Sequence, residues 1–490
     1  MPLNILWITT DHQQWQTIAG RSPCRTPNIQ RLIDSGMLFN RAYAPMPVCC
    51  PVRAMWMSGA YPWHNGVHTQ VHSAPSLTRD MYGDVVTYSQ RLREAGYRQG
   101  FVGKWHASYR RTPLDFGFDE VAWPQCYSKD TLVDLPVTPP PAMPEDLGEL
   151  TYTNDRKFSW PGTEPFSMWG HFDGPIEKLN TSRIADCAVD MLERFADGGQ
   201  PWHIAVHFPE PHDPYHPHSS YLEHYDPDDM PVPASFADTF ENKPNMYRRE
   251  SEIWGPLTEA DVREGTAHFF AYCEQIDAQI GRILDALDAS GEADSTLVAF
   301  TADHGDMLGA HRMWIKSWMP NEEVYRMPLA IRCPSRIAPG TVTDHLVQTH
   351  DLPHTFLDLV GAAPLPFADG RSLAPLFAEP DRNDWEDAIL CVGYGCEFFV
   401  TQRMVITPRW KYVFNGFDFD EMYDLENDPG EMTNLIDSPA HNEPRAELRG
   451  KLYELMARFE DTYGDKPYGQ ARGGGDTINR YSAPRYLPRS

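Results

Sequence analysis

The sequence predicts an α/β protein: a central mixed, largely parallel sheet flanked by helices, with a smaller antiparallel sheet and one helix at its C-terminal end. Three observations carry this. Short apolar runs, which read as buried strands, alternate with stretches of helical spacing. Two of those runs end in polar pairs, Asp11-His12 and Asp303-His304, at the strand ends where open α/β sheets place their ligands. From about residue 385 the alternation gives way to closely spaced strands, a polar turn region and one helix.

Each element has its own signal. Asn4–Thr10 (NILWITT) is a short apolar run, as a strand buried on both faces requires. Thr26-Pro27 opens a helix that runs through Ile33 and stops at Gly36, proline being favoured in a first helical turn. Residues 97–102 and 203–208 read as further core strands. Residues 127–180, rich in Pro, Gly and acidic residues, read as a long insertion around a pocket mouth. Residues 181–195 carry apolar side chains at helical spacing: Ile184, Ala188, Met191, Leu192 and Phe195. Thr258-x-x-Asp261 has the pattern of a capping box and starts a long helix through Phe269, Ile276, Ile280, Ile283 and Leu287, closed by Gly291. Residues 296–301 form another apolar run. Past 385, strands are expected at 388–392, 398–406 and 410–414, followed by a helix over 445–463. The organisation expected is a catalytic α/β domain over 1–380, a C-terminal α+β subdomain over 381–463, and an extended tail over 464–490. The tail has no core of its own and reads as a contact to a second copy, in a homo-oligomer (dimer or tetramer).

Composition excludes several classes. With 41% hydrophobic and 12% aromatic residues in 490, a large core is available and global disorder is excluded. The net charge of −27 repels nucleic acid and anionic membrane, so neither is an expected partner, and any anion site must be a local positive cluster. No apolar run approaches the ~20 residues that span a bilayer. The start, Met1-Pro2-Leu3-Asn4, lacks the basic region of a signal peptide, and the nine cysteines are scattered apart from Cys49-Cys50. A cytoplasmic location is therefore expected.

Five short constellations carry chemistry. Cys49-Cys50-Pro51-Val52-Arg53 places cysteine at the positive end of a helix, where an anion is stabilised and a nucleophile activated, beside a planar cation. Two structural cysteines before a core helix explain the same pattern locally. Asp11 and Asp303-His304, at the ends of buried strands, make an O/N-rich set for a divalent ion; helix capping by Asp is the rival reading. Gly103-Lys104-Trp105-His106 supplies a point charge and a proton-transfer group after a strand, though a solvated lysine and a packing histidine would look alike. Pro211-His212-Asp213-Pro214 follows the 203–208 strand, with His207, His216, His218 and His224 nearby; proline interruption argues against a zinc cluster there. Lys316 follows the Asp303 strand in a loop.

Together these residues resemble the sulfatase family of the alkaline-phosphatase-like superfamily. Cys49-x-Pro51-x-Arg53 is similar to the signature that directs conversion of its cysteine to formylglycine. Asp11, Gly-Lys-x-His at 103–106, Pro-His at 211–212, Asp303-His304 and Lys316 follow in the family's order. The run Tyr423-Asp424-Leu425-x-x-Asp428-Pro429-x-Glu431-x-x-Asn434-Leu435 looks like a segment of the family's C-terminal subdomain. The likeness spans the chain apart from 127–180 and the tail. It implies an alkaline-phosphatase-like fold and a hydrolase of sulfate monoesters, arylsulfatase-like, acting through a covalent sulfo-enzyme intermediate on modified Cys49. It further implies one divalent ion, Ca2+ or Mn2+, on Asp11, Cys49, Asp303 and His304. Arg53 would hold the modified side chain and the charge beside the ion. Lys104, His212 and Lys316 would bind the sulfate oxygens, with His212 or Lys316 protonating the leaving oxygen and His106 assisting the release of sulfate. The implied partners are a small sulfate ester and a formylglycine-generating enzyme. The pattern departs from the family at His12 (where many members have a second aspartate), at His304 (asparagine in many calcium-type members), and at Val52 and Cys50. Imidazole in the shell moves the expected preference from calcium toward manganese. Two alternatives stay open: a hydrolase of phosphonate monoesters or phosphodiesters with the same site, and a non-catalytic metal-binding relative. Members of the first kind look as though they carry uncharged hydroxyl residues where this chain has Lys104 and His106. Promiscuity toward phosphate and phosphonate esters is expected in any case.

Overall fold

The computed structural model describes residues 3–72, 76, 78–125, 150–160, 164–367, 369–396, 400–416 and 418–461. The tail over 464–490, with its expected oligomer contact, lies outside the described residues, as does the first part of the 127–180 insertion.

Eleven strands precede the C-terminal region in chain order: β1 (Asn4–Thr10), β2 (Met37–Tyr43), β3 (Arg98–Lys104), β4 (Glu120–Gln125), β5 (Tyr152–Phe158), β6 (Phe166–Phe172), β7 (Trp202–His207), β8 (Thr296–Ala302), β9 (Arg326–Met327), β10 (Leu329–Arg332) and β11 (Thr341–Gln348). Nine of them form one sheet in the order β11-β2-β10-β8-β1-β7-β3-β4, with β9 paired to β2. The pairs β1–β7, β1–β8, β3–β7, β3–β4 and β2–β11 are parallel, and β10 is antiparallel to both neighbours. The mixed, largely parallel sheet is thus as expected.

Period-two geometry explains why the middle of β1, residues 5–8, has to be apolar. Ile5 and Trp7 point into one layer, with Trp56, Tyr88 and Phe356. Leu6 and Ile8 point into the other, with Ile29, Ile184, Ile276 and Ile280. Both faces are therefore covered by helices. One layer contains α1 (Pro27–Asp34), α4 (Asn180–Ala196) and α5 (Glu259–Ala289), on the side of Leu6 and Ile8; the layer of Ile5 and Trp7 contains α2 (Cys49–Ser58), α3 (Tyr88–Glu94) and α6 (Asp351–Val360). The Thr258–Asp261 capping box forms as the spacing predicts, with both reciprocal bonds present.

Two expectations are refined. The described part of the 127–180 segment is not all loop: β5 and β6 pair as an antiparallel hairpin. The C-terminal sheet has four strands, β12 (Ile389–Gly393), β13 (Gln402–Ile406), β14 (Trp410–Asn415) and β15 (Glu421–Asp424), one more than expected, before α7 (Asn442–Arg458). β15 is only four residues long and has two acidic ends, so it lacks an apolar run. This sheet is buried on both sides. Leu390, Val405, Tyr412 and Met422 pack on Leu448, Leu452 and Leu455 of α7 and on Met55 of α2. Ile389, Met404, Ile406 and Val413 pack against Met307, Trp314 and Tyr325 of the larger domain.

Candidate active site

Register builds the site. Thr10 of β1 lies beside Ala302 of β8, and Thr9 beside His207 of β7, which in turn pairs with Gly103 of β3. Four parallel strands therefore end level, and the residues that follow or close them, Asp11, Asp303, Lys104 and the 208–213 loop, meet at one edge. Helix α2 adds Cys49 as its first residue, after an extended Val48. The backbone turns sharply there: His12 and His106 both sit at positive φ, 66° and 55°.

The donor atoms of Asp11, Cys49, Asp303 and His304 lie within 4.8 Å of one another, and all four residues are buried. Cys49 Sγ is 3.0 Å from His304 Nε2 and 3.9 Å from Asp11 Oδ1. His304 Nδ1 donates to the Gly305 carbonyl at 3.0 Å, which leaves the Nε2 lone pair directed at this group. Two carboxylates, an imidazole and residue 49 make a donor set that fits a divalent ion.

Positive charge surrounds it. Arg53 donates to Asp303 at 2.9 Å and to Asp11 at 3.4 Å, and is held from behind by the Lys104 carbonyl at 3.1 Å and His207 Nδ1 at 3.3 Å. Lys104 pairs with Asp11. Lys316 Nζ lies 3.3 Å from His212 Nε2. Burial alone would push the Cys49 thiol up, but Lys104, His304 and Lys316 outweigh it and hold the group well below the usual thiol range. Asp11 is likewise held far down by Lys104, His212 and His304 against the cost of burial. Burial, with the Lys104 charge, pushes His106 down to about 3, so it is a neutral imidazole able to accept a proton.

His212 goes the other way. Burial opposes its charge, but Asp213, 3.1 Å away, pushes it up to about 10. A raised folded-state value stabilises the fold below the unfolded value of about 6.5 and loses that contribution as pH climbs through about 10. Wild type is therefore expected to lose thermal stability relative to His212→Gln between about pH 7 and 10. Melting curves across that range check this, and parallel curves for the two proteins contradict it.

All the residues singled out in the sequence, Asp11, Cys49, Arg53, Lys104, His106, His212, Asp303, His304 and Lys316, come to this one edge. Cys49 and Cys50 diverge: Cys49 faces the acid and imidazole cluster, and Cys50 joins the hydrophobic layer beside Val52 and Ala54. The other histidines in and after β7 have separate partners: His207 contacts Arg53, His216 stacks on Tyr152 at 3.8 Å, and His224 meets Glu274 at 3.0 Å. Sequence reasoning assigned no role to three supporting groups. Asp306 receives His12 Nδ1 at 3.0 Å and the Tyr215 hydroxyl at 2.6 Å. Asp213 orients His212. Glu210 accepts from Asn180 at 2.6 Å and lines the cavity above the cluster. Asp213 sits one residue, and Asp306 and Glu210 two residues, from flagged positions, so proximity to a motif was the available signal. The cavity measures about 720 Å³, room for a small ester, and Lys104, His106, His212, Tyr109 and Tyr152 are on its wall.

A three-layer α/β sandwich with this strand-end cluster is the architecture of alkaline-phosphatase-like hydrolases, and comparison with known proteins narrows it. The Sulfatase family model matches residues 3–362, and the model for the C-terminal part of N-sulphoglucosamine sulphohydrolase matches residues 309–458. The chain belongs to the sulfatase family. It is 29% identical over 488 residues to an uncharacterised sulfatase of Escherichia coli (strain K12), covering 94% of this chain and 88% of that one. A structure solved in complex with its substrate, D-glucosamine-2-N,6-O-disulfate, superposes with a TM-score of 0.75 at 23% identity, covering 95% of this chain and all (100%) of the other. The phosphonate monoester hydrolase of Agrobacterium radiobacter gives 0.73 at 21% identity, over 93% and 96% of the two chains. Among the described residues no helix is long and apolar enough to cross a membrane.

Proposed function

We propose that this chain hydrolyses sulfate monoesters by covalent catalysis at residue 49, after that cysteine has been converted to formylglycine by a dedicated maturation enzyme. The observation that supports this most directly is the position of Cys49: first residue of α2, 3.0 Å from His304 Nε2, with Lys104 and Lys316 near enough to depress its thiol. Asp11, Asp303, His304 and residue 49 would hold a calcium- or manganese-type ion, which would supply Lewis-acid stabilisation to the reacting oxygens.

The chain's own residues do the rest. Arg53 fixes Asp303 and Asp11 so that their carboxylates keep one geometry. Lys104, His212 and Lys316 present positive charge to the sulfate oxygens in a site withdrawn from water, where preorganised charge acts most strongly. His212, kept protonated by Asp213, gives its proton to the departing alcohol. Neutral His106 takes the proton whose loss frees sulfate from residue 49.

The same cluster fits a second oxoanion. A phosphonate monoester hydrolase shares the fold, and hydrolysis of phosphonate monoesters or phosphodiesters is the alternative reading. Lys104 and His106 favour sulfate as the main substrate, with phosphonate and phosphodiester turnover as side activities. Rates on an aryl sulfate, an aryl phosphonate monoester and a bis-aryl phosphodiester decide between them: the sulfate is expected to be fastest, and a faster phosphonate or phosphodiester would replace the assignment.

A further inference from the structure

A second group of soft and borderline ligands lies beside the first and takes no part in the reaction above except through one shared residue. We propose that Cys50, reaching from the edge of the hydrophobic layer, and His72 and His106 on the cavity wall form a zinc-binding site beside the catalytic cavity, and that zinc bound there withdraws His106 and stops turnover. The inhibition rests on the sulfate-ester reading; the binding does not.

Geometry carries the argument. One donor atom from each residue lies within 4.8 Å of the other two. Cys50 Sγ is 4.0 Å from His72 Nδ1, and His72 Nδ1 is 2.9 Å from His106 Nε2. Around a tetrahedral zinc ion, with Zn–S about 2.3 Å and Zn–N about 2.0–2.1 Å, those separations would be about 3.6 and 3.4 Å. Shifts of about half an ångström bring these two separations to that geometry, and the third pair of donors lies within 4.8 Å. The two imidazoles are already stacked, with ring centroids 4.7 Å apart and planes 14° from parallel. The three residues differ in exposure in a useful way: Cys50 is fully buried at the start of α2, His106 is partly covered, and His72 is open to solvent. An arriving ion thus meets His72 first, and His72 and His106 both line the cavity; three protein ligands leave a fourth position for water.

Ligand chemistry makes the site selective. One thiolate and two imidazoles suit zinc, whereas the neighbouring group, with its two carboxylates, suits a harder ion. Cys50 is a buried, unbridged thiol. Binding must therefore displace the thiol proton: zinc forms the Zn–S bond, the S–H bond breaks, and one proton passes to solvent. The adjacent cysteine, which confuses the modification motif when read as sequence, acquires a separate role.

Two measurements test this. The matured holoenzyme, assayed on an aryl sulfate with added zinc chloride, is expected to be inhibited, whereas Cys50→Ala keeps its basal rate and needs at least about tenfold more zinc for the same inhibition. His72→Gln, altered at an exposed position, is expected to show the same loss of zinc sensitivity if Cys50→Ala folds poorly. Separately, Cys49→Ala protein titrated with cobalt(II) is expected to show a near-ultraviolet thiolate-to-cobalt band that vanishes in Cys49→Ala/Cys50→Ala and in Cys49→Ala/His72→Gln. Equal zinc inhibition of wild type and both single variants would place the effect at the carboxylate site and overturn the proposal, as would absence of the cobalt band. A cobalt band in Cys49→Ala protein, together with matured wild-type protein that turns over none of the three esters, would leave the zinc site standing and count against the sulfate reading instead.

Discussion

Cys49→Ala is expected to lower turnover of an aryl sulfate by about 10⁴-fold or more, the scale on which loss of a covalent nucleophile acts, while Cys50→Ala retains most of the wild-type rate. The two thiols are adjacent in sequence but face different surroundings. Cys49 Sγ contacts His304 Nε2 at 3.0 Å; Cys50 packs in the hydrophobic layer behind α2. An alanine at 49 removes the attacking group and one of four candidate ion ligands, leaving Lys104, His212 and Lys316 to bind an ester they cannot open. Mass analysis of peptide 41–53 supplies the companion measurement, with the thiol-to-aldehyde change expected at Cys49 alone. Equal losses in the two alanine variants, or full activity in protein whose Cys49 remains a thiol, would exclude residue 49 as the attacking group.

Lys411→Met is expected to be the most destabilising single change away from the site, by about 3–5 kcal/mol, the cost of leaving a buried charge unpaired. Lys411 lies in β14 with no exposed surface. Its Nζ meets Glu431 at 2.7 Å, Glu322 at 2.8 Å and the Pro320 carbonyl at 2.9 Å. Glu431 also accepts from the Glu322 amide at 2.8 Å, and Glu322 accepts from the Tyr43 hydroxyl at 2.8 Å. Burial would lower the Lys411 pKa, but the two carboxylates outweigh it and hold the ammonium charged. The cluster ties the C-terminal sheet to the loop that leads on from Lys316, so its loss loosens the residue proposed to bind sulfate as well as the fold. The triple change Lys411→Met/Glu322→Gln/Glu431→Gln removes all three charges and is expected to recover much of the loss. Urea denaturation midpoints compare the variants; a Lys411→Met midpoint equal to wild type would mean that the cluster contributes nothing net.

Legibility followed the range of the interaction. The long helix starting at Thr258 could be read from sequence because its cap and its apolar stripe are local, both within a few turns. β1 could be read because a strand covered on both faces needs an unbroken apolar run. β15 could not, since its four residues are held by pairing with β14 and by an Asn434 side chain that caps the Met422 amide at 3.0 Å, neither of which leaves a local trace. The β5–β6 hairpin lay hidden in a segment whose composition resembles a loop.

The sequence by itself determined the class of chemistry: which residues could carry it, that they stand where buried strands and one helix begin or end, and that a strongly acidic chain had to gather its cations in one place. Only the tertiary structure decided which atoms face one another. The register of four parallel strands sets Asp11, Asp303 and Lys104 level, and the first turn of α2 rotates Cys49 toward them and Cys50 away. Asp306 and Glu210 acquire their roles from neighbours distant in the chain. Side-chain direction at a strand end is set by packing against other elements, and a linear pattern carries the periodicity of one element but not the alignment of two.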